Sequence, residues 1–368
     1  MKIGVVIHGP EIVDSGYAIK IINLLKNFGE VRAKLGGTMG RVAVIDNDLQ
    51  DVIDISEKLM PSQSLKKLSD CDVLVLANYG KSKITGHTFG RIVVERANID
   101  KPIIQIERPG DKDGTIIIWN KSSENVEKIA KFLSEKLNLK IERCISNGLD
   151  IWEENGKIFR KVHGVDVGEA ILVNGVVVGK SESKDVILVA ENGKLVDILG
   201  GKLKEGGVEK LENVDLKKAV IKTGILRRHP TKPKFKNENV KNGKVVLVNH
   251  AGEDIIDKIK DKDIVAVITI GDDTTTICGD ILARFGVRVV GIVDGDEDEI
   301  LKNPVILDGS VIFQIENMRD DDAGKLLEEN LNLDKIYNYD ELLDEIKKIF
   351  SEKGVEFRRS QNFSQKLE

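Results

Sequence analysis

Two carboxylates stand on either side of one glycine at the end of an apolar run, and they are the residues best suited to chemistry. Asp294 and Asp296 flank Gly295 directly after the segment VRVVGIV. The glycine allows a sharp backbone turn, so both carboxylates can approach one hard divalent cation. Neighbouring carboxylates repel one another, and a bound cation offsets that repulsion. The sequence therefore predicts that Asp294 and Asp296 bind Mg²⁺ or Mn²⁺.

A second polar loop is expected at the same edge of the sheet. The loop GDDTTT, which begins at Gly271, follows the apolar run IVAVITI. A helix separates this loop from the strand that ends at Asp294, so the two strands are expected to be parallel, with their carboxyl ends together. We therefore predict that Gly271, Asp272 and Thr274 contact the same ligand.

The loop GDDTTT and the Asp-Gly-Asp segment together resemble the Toprim domain of bacterial primases and type II topoisomerases. The resemblance covers about residues 245–300 and implies an α/β fold with Asp294 and Asp296 as the metal-binding pair. That family has a glutamate at the end of its first strand, whereas this chain has His250 there. His250 and the nearby Glu253 are therefore the candidate catalytic residues.

A further resemblance is to the thiamine-pyrophosphokinase-like fold of archaeal GTP-dependent dephospho-coenzyme A kinases. In that fold a Gly-Asp-x-x-Thr loop precedes a strand that ends in Val-Asp-Gly, and Gly271, Asp272 and Asp294 match this pattern. The basic residue that follows in that family is replaced here by Asp296. Both resemblances imply a metal-dependent enzyme that acts on a phosphorylated small molecule or nucleotide.

The alternative function is a non-catalytic ligand-binding or regulatory protein built on a degenerate Toprim-like scaffold. His250 in place of the glutamate favours this alternative, whereas the retained Asp-Gly-Asp favours the enzyme. As a whole, a chain with KIGVVIHGPEIVDSG and KLGGTMGR near its start is similar to an uncharacterised archaeal family known mainly from methanogens. That similarity implies no particular activity.

Polar loops also follow the predicted strands of the N-terminal part. Their backbone N–H groups and basic side chains could hold a phosphate or carboxylate in the crevice of an open parallel sheet. The predicted ligand contacts are His8, Gly36, Gly37, Thr38, Gly40, Arg41 and Lys81. Two alternatives stay open, because GGTMG could be an ordinary turn and His8 could be a structural histidine rather than a base.

Hydrophobic periodicity predicts an α/β protein with several domains. Residues 1–145 alternate apolar strands with helices, which indicates a Rossmann-like three-layer domain, and three Asn-Gly pairs in residues 146–228 indicate a small antiparallel β domain. A basic linker at 229–244, a Toprim-like α/β domain at 245–355 and a disordered tail at 356–368 are expected to follow. The acidic run Asp-Asp-Asp at 320–322 indicates the start of a helix rather than a second metal site.

Composition limits the classes of partner. The net charge is −5, so there is no overall basic field for nucleic acid. Nucleic-acid binding is not favoured, although the linker and the two residues before it offer five cations around Phe235, namely Arg227, Arg228, Lys232, Lys234 and Lys236. The chain has three cysteines, and an odd number does not favour a disulfide framework. No apolar run reaches the length of a membrane span. We therefore expect a cytoplasmic protein, and its high Lys, Glu, Ile and Val content is typical of thermophiles. The oligomeric state is not predicted.

Overall fold

The computed structural model is a mixed α/β protein, as the sequence predicts. It describes residues 1–37, 39–120, 122–224, 228–230, 232–236, 240–249, 252–295 and 305–360. The chain divides into two compact units, one formed by 1–169 with 181–232 and the other by 170–180 with 233–368. Among the described residues no helix has both the length and the apolar character needed to cross a membrane.

The first unit contains a seven-stranded sheet covered by helices. Its strands are β1 (Lys2–His8), β2 (Glu30–Gly36), β3 (Ile53–Asp54), β4 (Val73–Asn78), β5 (Ile103–Glu107), β6 (Thr115–Trp119) and β7 (Lys140–Glu142). Its helices are α1 (Glu11–Asp14), α2 (Tyr17–Leu25), α3 (Gly40–Asp46), α4 (Pro61–Lys67), α5 (Lys83–Ala97) and α6 (Glu124–Leu137). The order is β3-β2-β1-β4-β5-β6-β7, so the direction of strand addition reverses between β1 and β4.

The central strands β1, β4 and β5 are buried on both faces because they are apolar at most positions. In β1, Ile3, Val5 and Ile7 belong to one hydrophobic cluster, whereas Val6 packs with Leu74 in the opposite cluster. Strands β1 to β5 run parallel, whereas β6 pairs antiparallel with β5 and β7 pairs parallel with β6. A parallel sheet with two buried faces has its ligand-binding edge at the carboxyl ends of the strands.

The middle of the chain forms antiparallel hairpins. Its elements are β8 (Ile151–Glu154), β9 (Lys157–Val162), β10 (Ala170–Val173), β11 (Val176–Ser181), β12 (Val186–Glu191), β13 (Lys194–Leu199), β14 (Gly201–Leu203), α7 (Glu205–Leu211) and β15 (Ile221–Thr223). Asn155, Asn174 and Asn192 have φ values of 50°, 51° and 50°, and each is followed by a glycine that also has positive φ. This geometry suits the tight turns expected at Asn-Gly pairs and confirms the predicted hairpins.

The second unit contains a six-stranded sheet. Its strands are β16 (Asn242–Val248), β17 (Ile264–Ile270), β18 (Arg288–Val293), β19 (Val311–Ile315), β20 (Tyr337–Asn338) and β21 (Phe357–Ser360). Its helices are α8 (Ile255–Ile259), α9 (Asp272–Leu282), α10 (Asp320–Asn330) and α11 (Tyr339–Glu352), with 3-10 turns at Gly252–Asp254 and Ala283–Phe285. The order is β20-β16-β17-β18-β19-β21, in which β16 to β19 are parallel.

One prediction about this unit is corrected by the structure. The sequence predicts a disordered tail from residue 356, yet β21 pairs with β19 in antiparallel register. Phe357 lies 5.0 Å from the ring of Phe313 and 5.6 Å from that of Phe350, so aromatic packing holds this strand in place. Residues 361–368 lie outside the described part of the chain, and the predicted domain boundaries remain predictions.

Candidate functional site

Three aspartates meet at the carboxyl edge of the second sheet. Asp272 follows β17, Asp294 follows β18, and Asp320 begins α10 after β19. Each of them offers a carboxylate oxygen, and these oxygens all lie within 4.8 Å of one another. We call this group the acidic cluster. Because β17, β18 and β19 are adjacent and parallel, the topology brings together three residues that are distant in sequence.

The loop after β17 is shaped so that Asp272 points along this edge. Gly271 has φ of +101°, which a residue with a side chain rarely adopts. A Cβ atom added at Gly271 would lie 3.8 Å from Asp320 Oδ2, so the glycine leaves space beside the cluster. The Thr275 hydroxyl donates to the Gly271 carbonyl at 2.7 Å and fixes the turn.

Asp272 also connects this loop to the next one. Its Oδ2 accepts hydrogen bonds from the backbone N–H groups of Gly295 at 2.8 Å and Asp294 at 3.2 Å. Asp272 and Asp320 are only 4 % and 6 % exposed, whereas Asp294 is half-buried. Burial of nearby like charges is unfavourable unless a cation, a proton or helix N-termini offset it. Hard cations such as Mg²⁺ and Mn²⁺ prefer such oxygen ligands.

Only some of the residues predicted in this region lie in the acidic cluster. Asp272 and Asp294 lie in the acidic cluster, and Thr274 lies in the first turn of α9 beside Gly271. Two predicted residues, Asp296 and His250, lie outside the described residues. Glu253 belongs to the 3-10 turn Gly252–Asp254, and its side chain lies outside the described part of the structure.

Asp320 is the functional candidate that the sequence leaves out. Its acidic run is interpreted from sequence as a helix start, and Asp320 is indeed the first residue of α10. The same residue nevertheless reaches the carboxylates of Asp272 and Asp294. The signal that could have found it is its position just after a buried strand, at the same edge as the other two loops.

A second group of polar residues lies at the carboxyl ends of β1, β4 and β5. His8 and Asn78 are register partners at the ends of β1 and β4, and His8 Nδ1 lies 2.6 Å from Asn78 Oδ1. Asn78 Nδ2 donates to both oxygens of the buried Glu107, at 2.8 and 3.1 Å. Burial lowers the pKa of His8 to about 4 and raises that of Glu107. The sequence analysis does not select Glu107; the signal that could have found it is the polar pair Gln105 and Glu107 in the otherwise apolar segment PIIQIE.

The predicted glycines near β2 have different roles. A Cβ atom at Gly36 would lie 2.6 Å from Pro61 Cα, so Gly36 allows close packing. Gly40 likewise makes room for Leu35, because an added Cβ would lie 2.8 Å from its Cδ1. Gly37 has φ of +100° and donates its N–H to the Leu59 carbonyl at 2.7 Å. Thr38 lies outside the described residues.

The two predicted basic contacts are engaged within the protein. Arg41 is 1 % exposed, in helix α3. The Lys81 ammonium donates to both carboxylate oxygens of Glu169 at 2.6 Å. An anion would have to compete with Glu169 for Lys81, so the anion-binding role of these residues remains a prediction.

Arg228, just before the predicted linker, and His229, its first residue, are held by the carboxylate of Glu11. The backbone N–H of Arg228 donates to Glu11 Oε2 at 2.7 Å, and His229 Nδ1 lies 2.9 Å from Glu11 Oε1. The Arg228 guanidinium also stacks 5.0 Å from the centre of the Tyr79 ring. Glu11 is 2 % exposed, whereas the side chains of Arg228 and His229 are 45 % and 42 % exposed, so a buried carboxylate holds two partly exposed basic residues. Whether this region binds nucleic acid remains a prediction.

Comparison with known proteins gives a family but no activity. A family described as "Uncharacterized protein conserved in archaea (DUF2117)" matches residues 5–335. An uncharacterized protein of Methanocaldococcus jannaschii is 75% identical over 356 residues, which cover 96% of this chain and 98% of the relative. The predicted similarity to an archaeal family found in methanogens is confirmed, whereas the Toprim resemblance remains a prediction. The chain belongs to this family of uncharacterized archaeal proteins.

Proposed function

We propose that this protein binds Mg²⁺ or Mn²⁺ in the acidic cluster and uses the cation to hold a phosphorylated small molecule or nucleotide. One observation carries the proposal: oxygens of Asp272, Asp294 and Asp320 lie within 4.8 Å of one another at the ends of three adjacent parallel strands. This spacing suits carboxylates that share one cation.

The number of ligands favours a phosphorylated partner. Mg²⁺ is octahedral, so three carboxylates that each give one oxygen would leave about three positions for water or phosphate oxygens. The N-termini of α9 and α10 begin at Asp272 and Asp320, and their positive dipole ends favour additional negative charge there. Phosphoryl transfer depends mainly on positioning and charge stabilisation, which a cation at this edge would supply.

The alternative is a non-catalytic protein that binds the same ligand for regulation. His250 at the position of the Toprim glutamate favours this alternative, because that family uses the glutamate as its acid or base. Cation binding is common to both alternatives. Only turnover of a phosphorylated substrate would separate them.

The experiment measures Mn²⁺ binding by electron paramagnetic resonance, in which free Mn²⁺ gives the signal. We expect stoichiometric loss of the free signal with the wild-type protein and at least about tenfold weaker binding by Asp294→Asn, because one charged ligand is lost. Asp322→Asn is the matched control, because its side chain is 59 % exposed on the same helix as Asp320. Equal binding by all three proteins would contradict the proposal.

A second measurement tests the phosphorylated ligand. Bound Mn²⁺ broadens the ³¹P resonance of a phosphate group that coordinates it. We expect pyrophosphate to be broadened more strongly with Mn²⁺ and the wild-type protein than with Mn²⁺ and Asp294→Asn. Tight Mn²⁺ binding without this difference would leave a cation site that serves another ligand.

A further inference from the structure

We propose that the crevice at the carboxyl ends of β1 and β4 is a second ligand site. In this site the Nε2 atom of His8 accepts a hydrogen bond from a hydroxyl or N–H group of a small uncharged molecule. Asn78 and Glu107 are the positioning residues that hold His8 in the form needed for this contact. The inference uses none of the residues of the acidic cluster and stands independently of the proposed cation.

The hydrogen bonds determine which nitrogen of His8 carries the proton. Asn78 Nδ2 donates to Glu107 at 2.8 and 3.1 Å, so the other amide atom, Oδ1, is the one that faces His8 Nδ1 at 2.6 Å. A carbonyl oxygen can only accept, so Nδ1 must be the donor. In a neutral imidazole the lone pair is then on Nε2, which can accept a proton or a hydrogen bond.

The surroundings of Glu107 explain why this arrangement is stable. Glu107 is fully buried, and it also accepts from the backbone N–H of Gly80 at 2.7 Å and from Gln105 Nε2 at 2.9 Å. A Cβ atom at Gly86 would lie 2.1 Å from Glu107 Cδ, so that glycine allows α5 to approach the carboxyl group. With Glu107 held by several donors, the amide of Asn78 cannot rotate without losing hydrogen bonds.

His8 is kept neutral and fixed in orientation. Burial is the main cause that lowers its pKa to about 4, and the positive charge of Lys222 acts in the same direction, whereas the hydrogen bond to Asn78 opposes them. The ring stacks on Phe89 with centroids 4.1 Å apart and an interplanar angle of 19°. A neutral, oriented imidazole at pH 7 is suited to accept a hydrogen bond.

The Nε2 edge of His8 faces a gap beside a glycine. A Cβ atom at Gly37 would lie 3.7 Å from Nε2 and 3.5 Å from Cδ2, and both residues are only half-buried. The strand order reverses between β1 and β4, which is where open parallel sheets bind ligands. The absence of a side chain at Gly37 therefore leaves room for a ligand atom within hydrogen-bond reach of Nε2.

The charges around this crevice favour an uncharged ligand. Lys81 pairs with Glu169 at 2.6 Å, and Arg228 pairs with Glu11 at 3.1 Å. Arg108, whose guanidinium faces Tyr79, pairs with Asp111 at 2.6 Å. Because these three cations already have carboxylate partners, an anion would gain little from them. Lys222, whose charge acts on His8, also makes an interaction within the protein.

Diethyl pyrocarbonate provides the test, because it is a small uncharged molecule and, among the histidines, it reacts only with those that present an accessible neutral imidazole nitrogen. Its reaction at each histidine is followed by mass spectrometry between pH 5.5 and 7.5, with N-acetylhistidine as the internal standard. From pH 7.5 to pH 5.5 the reaction of N-acetylhistidine should slow about tenfold, because its imidazole becomes protonated near pH 6.5. The rate of reaction at His8 should change less than about twofold.

His87 is the matched control within the same chain. It is fully buried, with Nε2 2.9 Å from the Thr115 hydroxyl and Nδ1 accepting from the Ile145 N–H at 3.2 Å. We expect it to react at least about tenfold more slowly than His8, because neither nitrogen has an accessible lone pair. Reaction of His8 as slow as that of His87, or as strongly pH-dependent as the standard, would overturn the proposal. If inorganic phosphate protects His8 from modification, the proposal that the ligand is uncharged is wrong.

Variants of Asn78 and Gly37 separate a role in positioning His8 from a purely structural role. ¹⁵N NMR of the imidazole should find Nε2 unprotonated in the wild type and a mixture of tautomers in Asn78→Leu. Gly37→Ala should slow modification of His8 several-fold without changing the tautomer, because its methyl group would stand near Nε2. Melting curves exclude unfolded variants. A wild-type spectrum with the proton on Nε2 would overturn the proposal whether or not the variants fold.

Discussion

Replacing Asp320 by asparagine should have opposite effects on stability in the absence and presence of a divalent cation. Asparagine keeps the size of the side chain, and its Oδ1 can still accept from the backbone N–H of Asp321, as the aspartate does at 2.7 Å. What the substitution removes is one negative charge from the acidic cluster. Without a cation the variant should therefore be at least as stable as the wild type.

The size of this effect follows from the spacing. Two charges 4.8 Å apart repel by about 3.5 kcal/mol at an effective dielectric constant of about 20. The N-termini of α9 and α10 and the hydrogen bonds to Asp272 offset part of that repulsion. We therefore expect a gain of about 1–2 kcal/mol in the free energy of unfolding, and each kcal/mol corresponds to roughly 2–4 °C in Tm for a unit of this size.

Addition of Mn²⁺ should reverse the order. A ligand that binds only the folded state at a hundred times its Kd stabilises by about 2.7 kcal/mol. The wild type should gain this stability, and Asp320→Asn should gain much less because it has lost a charged ligand. Differential scanning calorimetry in EDTA and in millimolar MnCl₂ measures both effects, with Asp322→Asn as the control. A variant that is less stable than the wild type in EDTA and equally stabilised by Mn²⁺ would refute this reasoning.

Other predictions concern the rest of the molecule. The folded-state pKa of His8, about 4, lies below the ordinary 6.5, so acidification from pH 6.5 to 4 should cost at most about 3 kcal/mol of stability; chemical denaturation should show a smaller loss in His8→Gln. Trypsin should cut after Arg228 several-fold faster in Glu11→Gln, because a charged anchor is weakened, and an unchanged rate would argue against that anchor. Phe357→Ala should destabilise the second unit by about 2–4 kcal/mol through lost aromatic packing, whereas no loss would support a disordered tail.

Periodic patterns in the sequence predict most of the local structure. The apolar run IVAVITI coincides with β17, and the Asn-Gly pairs form the expected turns. Such features depend on neighbouring residues, so the sequence contains them directly. Phe357 is different, because its strand packs against the rings of Phe313 and Phe350, which belong to other elements. Contacts of this kind cannot be deduced from the local pattern.

The candidate sites were predicted only in part for the same reason. Asp272 and Asp294 follow long apolar strands and are recognisable locally, whereas Asp320 joins them only through the sheet order. Asn78 and Glu107 likewise act on His8 through neighbouring strands of the first sheet. The residue types suggested a site at each strand end, but only the topology assembled the partners.

The central claim, a divalent cation in the acidic cluster, is tested most directly by crystallography with anomalous scattering from Mn²⁺. Crystals grown with MnCl₂ should give an anomalous peak bound by carboxylate oxygens of Asp272, Asp294 and Asp320, at distances of about 2.0–2.3 Å. In the Mn²⁺ complex the three carboxylates should also lie closer together than in the present structure, where their oxygens lie within 4.8 Å of one another. A fully occupied Mn²⁺ elsewhere on the protein, with no peak among these three aspartates, would contradict the account.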